Sequence, residues 1–93
     1  MKKQTYASVW DALEDTPEAA ASMRVRAELM IAVQRYVEAS GETQAQAAKY
    51  LGLTQPRLND LLRGRIEKFS LDALVNMLAR VGRQVAVKVR RAA

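Results

Sequence analysis

The chain has 93 residues, enough for one small domain. It contains no Cys and no His, which excludes disulfide scaffolds, thiolate metal sites and cysteine nucleophiles, and removes the usual zinc ligand and the usual general base at neutral pH. Lys and Arg number 15 against 10 Asp and Glu, and the excess is uneven: residues 1–42 carry 5 basic and 7 acidic residues, whereas residues 43–93 carry 10 and 3. Basic residues gathered in one half point to a polyanionic partner, most often nucleic acid. Most of them are Arg, which favours forked recognition of phosphate or guanine over plain charge.

Residues 1–15 read as an N-terminal arm. Met1-Lys2-Lys3 resembles the start of a signal peptide, but no apolar run follows, so no export is expected. No stretch is apolar enough to span a bilayer, and a cytoplasmic, nucleoid-associated location is the expectation. Val9, Trp10 and Leu13 fit one short helical turn that lays Trp10 on the core. Thr16-Pro17-Glu18 is a helix start: Thr16 caps, Pro17 suits the first helical position and Glu18 favours the positive end of the dipole. The helix runs to about Ser40, with Met23, Met30, Val33 and Val37 at helical spacing, as are Leu29 and Tyr36. Gly41 stops it.

Thr43-Gln44-Ala45-Gln46 is a capping box that opens a second, short helix ending at Leu51. Thr54 caps a third, with Pro56 in its first turn, where a missing N–H costs nothing; it ends near Arg63. Ser70 caps a fourth, in which Leu71, Leu74, Val75, Leu78 and Val81 form one stripe before Gly82. In the tail, Val85, Val87 and Val89 alternate with Ala86, Lys88 and Arg90, which predicts a short strand over 84–90. The expected fold is mainly α: a small helical bundle over residues 16–93 with a short C-terminal β-strand.

Two short helices joined by three residues are the outline of a helix-turn-helix. Ala47 and Ala48 are small where the second helix approaches the third, and Gly52 occupies the turn, where a positive φ is required. Leu51, Leu53, Leu58 and Leu61 supply the apolar positions that hold the pair. At about 100° per residue, Leu58, Leu61 and Leu62 of the third helix face inward. Pro56, Asn59, Asp60 and Arg63 then face outward, Gln55 sits at the exposed first turn and Arg57 flanks the outer face. Recognition helices read base edges mainly from their N-terminal residues. On that footing Gln55 and Asn59 pair with adenine and Arg57 with guanine or phosphate. Asp60 either accepts from cytosine N4 or orients Arg57 or Arg63 through an ion pair. Thr54, Arg63, Arg65 and Lys68 are candidate phosphate contacts.

The run Thr43 to Gly64 resembles the XRE family of phage-repressor-type, lambda-repressor-like regulators. Ser8-Val9-Trp10-Asp11-Ala12-Leu13, Leu29-Met30-Ile31-Ala32 and Phe69-Ser70-Leu71-Asp72 resemble the subgroup that includes HigA-like antitoxins. The resemblance covers residues 8 to about 90. It implies a DNA-binding core of about five helices, against four legible here. It also implies base contacts at Gln55, Pro56, Asn59 and Asp60, and a phosphate contact at Gln44, where helix N–H groups and dipole favour an anion. Double-stranded DNA is the implied partner, read by a two-fold dimer as a repressor of its own promoter, with a toxin protein as a further partner in the antitoxin version.

The lone strand at 84–90 leaves its ladder groups unpaired. Its partner is either the same strand of a second chain, with Val85, Val87 and Val89 as the interface, or the segment Thr5–Trp10. The competing reading is a protein–protein interaction module, toxin-neutralising, in which DNA binding is secondary. RNA binding suits the basic tail, but the chain lacks an aromatic stacking surface. With no phosphate loop, dinucleotide fingerprint or metal cluster, no enzyme, cofactor, metal or small-molecule substrate is expected.

Overall fold

A computed structural model describes residues 16–92; the arm at 1–15, with the turn expected around Trp10, lies outside them. The described chain is mainly helical: α1 (Pro17–Ser40), α2 (Gln44–Leu51), α3 (Gln55–Leu62), a 3-10 turn (Ile66–Lys68) and α4 (Leu71–Arg80). α1 is the spine. It packs chiefly along α4 and also touches α2, α3 and the 3-10 turn, while α2 and α3 pack on each other. Among the described residues no helix is long and apolar enough to cross a membrane.

Each helix starts where a hydroxyl side chain accepts an otherwise unpaired N–H. Thr16 Oγ1 accepts from Ala19 N at 3.1 Å, and Ser70 Oγ accepts from Ala73 N at 3.1 Å. At α2 the capping box is complete: Gln46 N donates to Thr43 Oγ1, and Thr43 N donates to Gln46 Oε1, both at 3.2 Å. Thr54 Oγ1 accepts from Arg57 N at 3.3 Å. Eight-residue helices are too short to persist alone, so these caps mark out α2 and α3 while packing stabilises them.

The core joins one face from every helix. Met23, Leu29, Met30 and Val33 come from α1, Ala47, Ala48 and Leu51 from α2, and Leu58 and Leu61 from α3. Ile66, which opens the 3-10 turn, and Phe69, which follows it, are buried in the same core. α4 adds Leu74, Met77 and Leu78. Two details depart from the sequence reading. Leu71 is exposed, and Met77, which the expected stripe omits, is buried; Val75 and Val81 are half-buried at the edge. Leu71 opens α4, where the helix has only just met the core.

The expected strand over 84–90 does not form: residues 83–92 carry no repeating structure. The reason is the one that makes any lone strand unstable, namely that its N–H and C=O groups need a ladder partner, and none of the described chain is a strand. The three valines separate. Val85 is half-buried, packed against the core and lining a surface hollow with Leu29, Ala32 and Leu78, whereas Val87 and Val89 are 81% and 89% exposed.

Candidate nucleic-acid interface

The turn between α2 and α3 is set by Gly52. Its φ is +76°, and its N–H donates to Lys49 O at 3.2 Å. Leu53 N donates to Ala48 O at 2.8 Å, closing the end of α2. A second constraint at Gly52 is tertiary. Arg80 of α4 crosses the turn, its Nε donating to Tyr50 O at 3.2 Å, and a Cβ on Gly52 would stand 2.7 Å from that Nε. The far end of α3 is also held from outside: Gln34 of α1 donates from Nε2 to Leu61 O at 2.8 Å. Arg80 thereby satisfies an orphan carbonyl at the C-terminal end of α2, and Gln34 adds a second donor to Leu61 O, which already accepts from Gly64 N at 3.0 Å. Neither role has a signature in sequence spacing, since the partners lie 30 and 27 residues apart.

Along α3, Leu58 and Leu61 are fully buried, while Gln55, Pro56, Asn59 and Arg63 face solvent. Gln55 and Asn59 are four apart and share a face. Their rise of about 6 Å is close to two base-pair steps of about 3.4 Å. Both present amides, whose donor and acceptor pattern matches the N6 and N7 edge of adenine.

Arg57 and Asp60 are placed differently. Arg57 is half-buried, with its guanidinium 4.3 Å from the centroid of the Phe69 ring and its Nη1 donating to Lys68 O at 2.9 Å. Asp60 is half-buried and pairs with neither Arg57 nor Arg63: its Oδ1 accepts from Arg65 Nη1 at 3.1 Å. Its main-chain carbonyl accepts from Arg65 N, also at 3.1 Å. Arg65 is five residues on and beyond the end of α3, so helix periodicity does not mark it as the partner.

The remaining expected phosphate contacts flank the amide edge. Gln44 is exposed at the first position of α2, Thr54 is exposed at the cap of α3, and Lys68 is exposed on the loop after α3. The Thr54 hydroxyl accepts Arg57 N–H and keeps its own proton to donate. Arg63 is exposed at the C-terminal cap of α3, and Arg65 keeps donors beyond the one on Asp60. Among the described residues no cluster of acidic side chains is arranged to hold a metal ion.

Two short capped helices, a glycine turn and an outward polar edge on the second helix define a DNA-binding helix-turn-helix fold. A family model for the helix-turn-helix domain matches residues 12–90, and the chain belongs to that family. No curated protein matches the chain significantly.

Proposed function

We propose that the chain is a sequence-specific double-stranded DNA-binding transcriptional regulator, a repressor that acts as a homodimer on its own promoter. One observation carries this reading: α3 buries Leu58 and Leu61 and turns Gln55, Pro56 and Asn59 outward, with Thr54, Arg63 and Lys68 beside them. A scaffold needs the buried leucines but has no use for amides at that spacing. In this proposal α3 enters the major groove, the amides read base edges, and the flanking hydroxyl and cations hold the phosphates. Repression is by occupancy, the bound protein excluding polymerase. The proposed activity is binding and not catalysis.

The test is fluorescence anisotropy with the duplex upstream of the chain's own coding region, against a scrambled duplex, over a salt series. Binding to the native duplex alone, with a steep salt slope, is the expected result. Equal weak binding to both duplexes refutes the autoregulator, and no binding at low salt refutes DNA recognition.

The dimer is proposed through the tail. Val87 and Val89 stand exposed on one parity of a segment whose backbone lacks a ladder partner within the described chain. A second copy supplies one, and two reading helices about 34 Å apart then meet successive major grooves. Ultracentrifugation of the Val87→Asp, Val89→Asp double variant should give a monomer; a dimer refutes this interface. The XRE-type and antitoxin layers rest on the resemblance in Thr43–Gly64 and in the shorter runs, and on the acidic first half of the chain. Co-purification with the product of the adjacent gene tests the toxin-neutralising role, which fails if a small basic ribonuclease-like neighbour does not bind.

A further inference from the structure

We infer that Arg57 and Asp60 are positioning residues of the reading surface and not base readers. They tie α3 to the loop that follows it, and so set where that loop's cations stand relative to the amide edge. The inference rests on the DNA-binding reading above.

Both side chains sit on the helix that would enter the groove, and both are spent within the protein. Arg57 stacks its guanidinium on Phe69, with 4.3 Å to the ring centroid, and donates to Lys68 O at 2.9 Å. Phe69 is 1% exposed, so the platform beneath Arg57 is part of the core and does not move with it. Reaching a base would cost Arg57 both the cation–π contact and the hydrogen bond. Asp60, one helical turn on, holds Arg65 through its carboxylate and its carbonyl, each at 3.1 Å. A bare carboxylate on this face would repel phosphates, and Arg65 neutralises it. Arg65 lies at the start of the loop and Lys68–Phe69 at its end, so α3 grips the loop at both ends. Among the described residues Gln55 and Asn59 carry no such tie, and base reading falls to them.

The experiment is selection from a randomised duplex pool, with affinity measured over a salt series, for the wild type, Arg57→Ala, Asp60→Asn and Gln55→Ala. Thermal melting of each variant places the binding assay well below its unfolding transition. Arg57→Ala and Asp60→Asn should bind about 3- to 10-fold more weakly, the loss expected for one or two such contacts. Their base preference should match the wild type at every position. The salt slope of Arg57→Ala should be shallower by about 1, as expected when one phosphate contact is misplaced. Gln55→Ala should instead relax preference at one base pair. By NMR the Arg57 side-chain protons should be shifted upfield by the Phe69 ring in the free protein and remain so on DNA. Relaxed preference at a single base pair in Arg57→Ala or Asp60→Asn overturns the inference, as does loss of the upfield shift on binding. Weakened binding of Arg57→Ala with an unchanged salt slope, tracking only the folded fraction, marks a purely structural role and overturns it too. Failure of the wild type to bind any duplex at low salt overturns the DNA-binding reading itself, and is told apart because wild type and Gln55→Ala then fail alike.

Discussion

Gly52→Ala separates two costs that fall on one residue. The first is local: an alanine forced to φ +76° enters the left-handed region, at about 1–2 kcal/mol. The second is tertiary. The new Cβ would meet Arg80 Nε at 2.7 Å, closer than a Cβ carbon approaches a non-bonded atom, so the flexible end of Arg80 swings away and Tyr50 O loses its donor. An exposed hydrogen bond of this kind contributes about 0.5–1 kcal/mol, giving roughly 1.5–3 kcal/mol in all, measured from the shift in urea midpoint at constant slope. Gly41 is the internal control. Its φ is +69° and a Cβ there would meet nothing within 4 Å, so Gly41→Ala should show the backbone cost alone. Arg80→Ala should cost only the hydrogen bond. In the Gly52→Ala, Arg80→Ala double variant that bond is lost once and not twice, so the costs should fall short of additivity by about 0.5–1 kcal/mol. Strict additivity, or a Gly52→Ala cost no larger than that of Gly41→Ala, refutes the reasoning.

Other perturbations test the remaining links. Thr43→Ala removes one arm of the capping box and should lower stability by about 1 kcal/mol in chemical denaturation, and more weakly so in a Gln46→Ala background, where the reciprocal bond is already gone. Leu58→Ala empties a fully buried site between α3 and the rest of the core and should cost about 2–5 kcal/mol by the same assay. Lys68→Ala leaves the carbonyl that anchors Arg57 in place, so it should weaken all duplexes about equally and reduce the salt slope by about 1 in anisotropy titrations.

The contrast between sequence and structure runs along one line: how far apart in the chain the interacting groups lie. Helix starts were legible at Thr16, Thr43, Thr54 and Ser70 because a cap is a contact between residues three apart. The inward face of α3 was legible because Leu58 and Leu61 repeat at the period of the helix, and with it the outward placement of Gln55, Pro56, Asn59 and Arg63. Periodicity failed at the ends of elements. Leu71 has the right phase on α4 but meets no core there, and Met77 fills the space the neighbouring helices leave. Alternation in the tail showed a capacity for strand, yet pairing depends on a partner that 84–90 does not find in the described chain.

Residue type likewise told what Arg57 and Asp60 can bind, not what they do bind. Their positions on α3 matched base-reading geometry, while their actual partners, Phe69 with Lys68 and Arg65, belong to the loop beyond the helix. A charged side chain near the surface takes whichever partner the fold carries within reach. Where the helices begin, which faces are apolar and which half of the chain is basic all follow from local chemistry and composition. Which polar groups remain available to a partner is settled by packing. That depends on the passage of Arg80 over Gly52, the reach of Gln34 to the end of α3 and the seating of Phe69 under Arg57, and each requires elements distant in the chain to be packed before the contact exists.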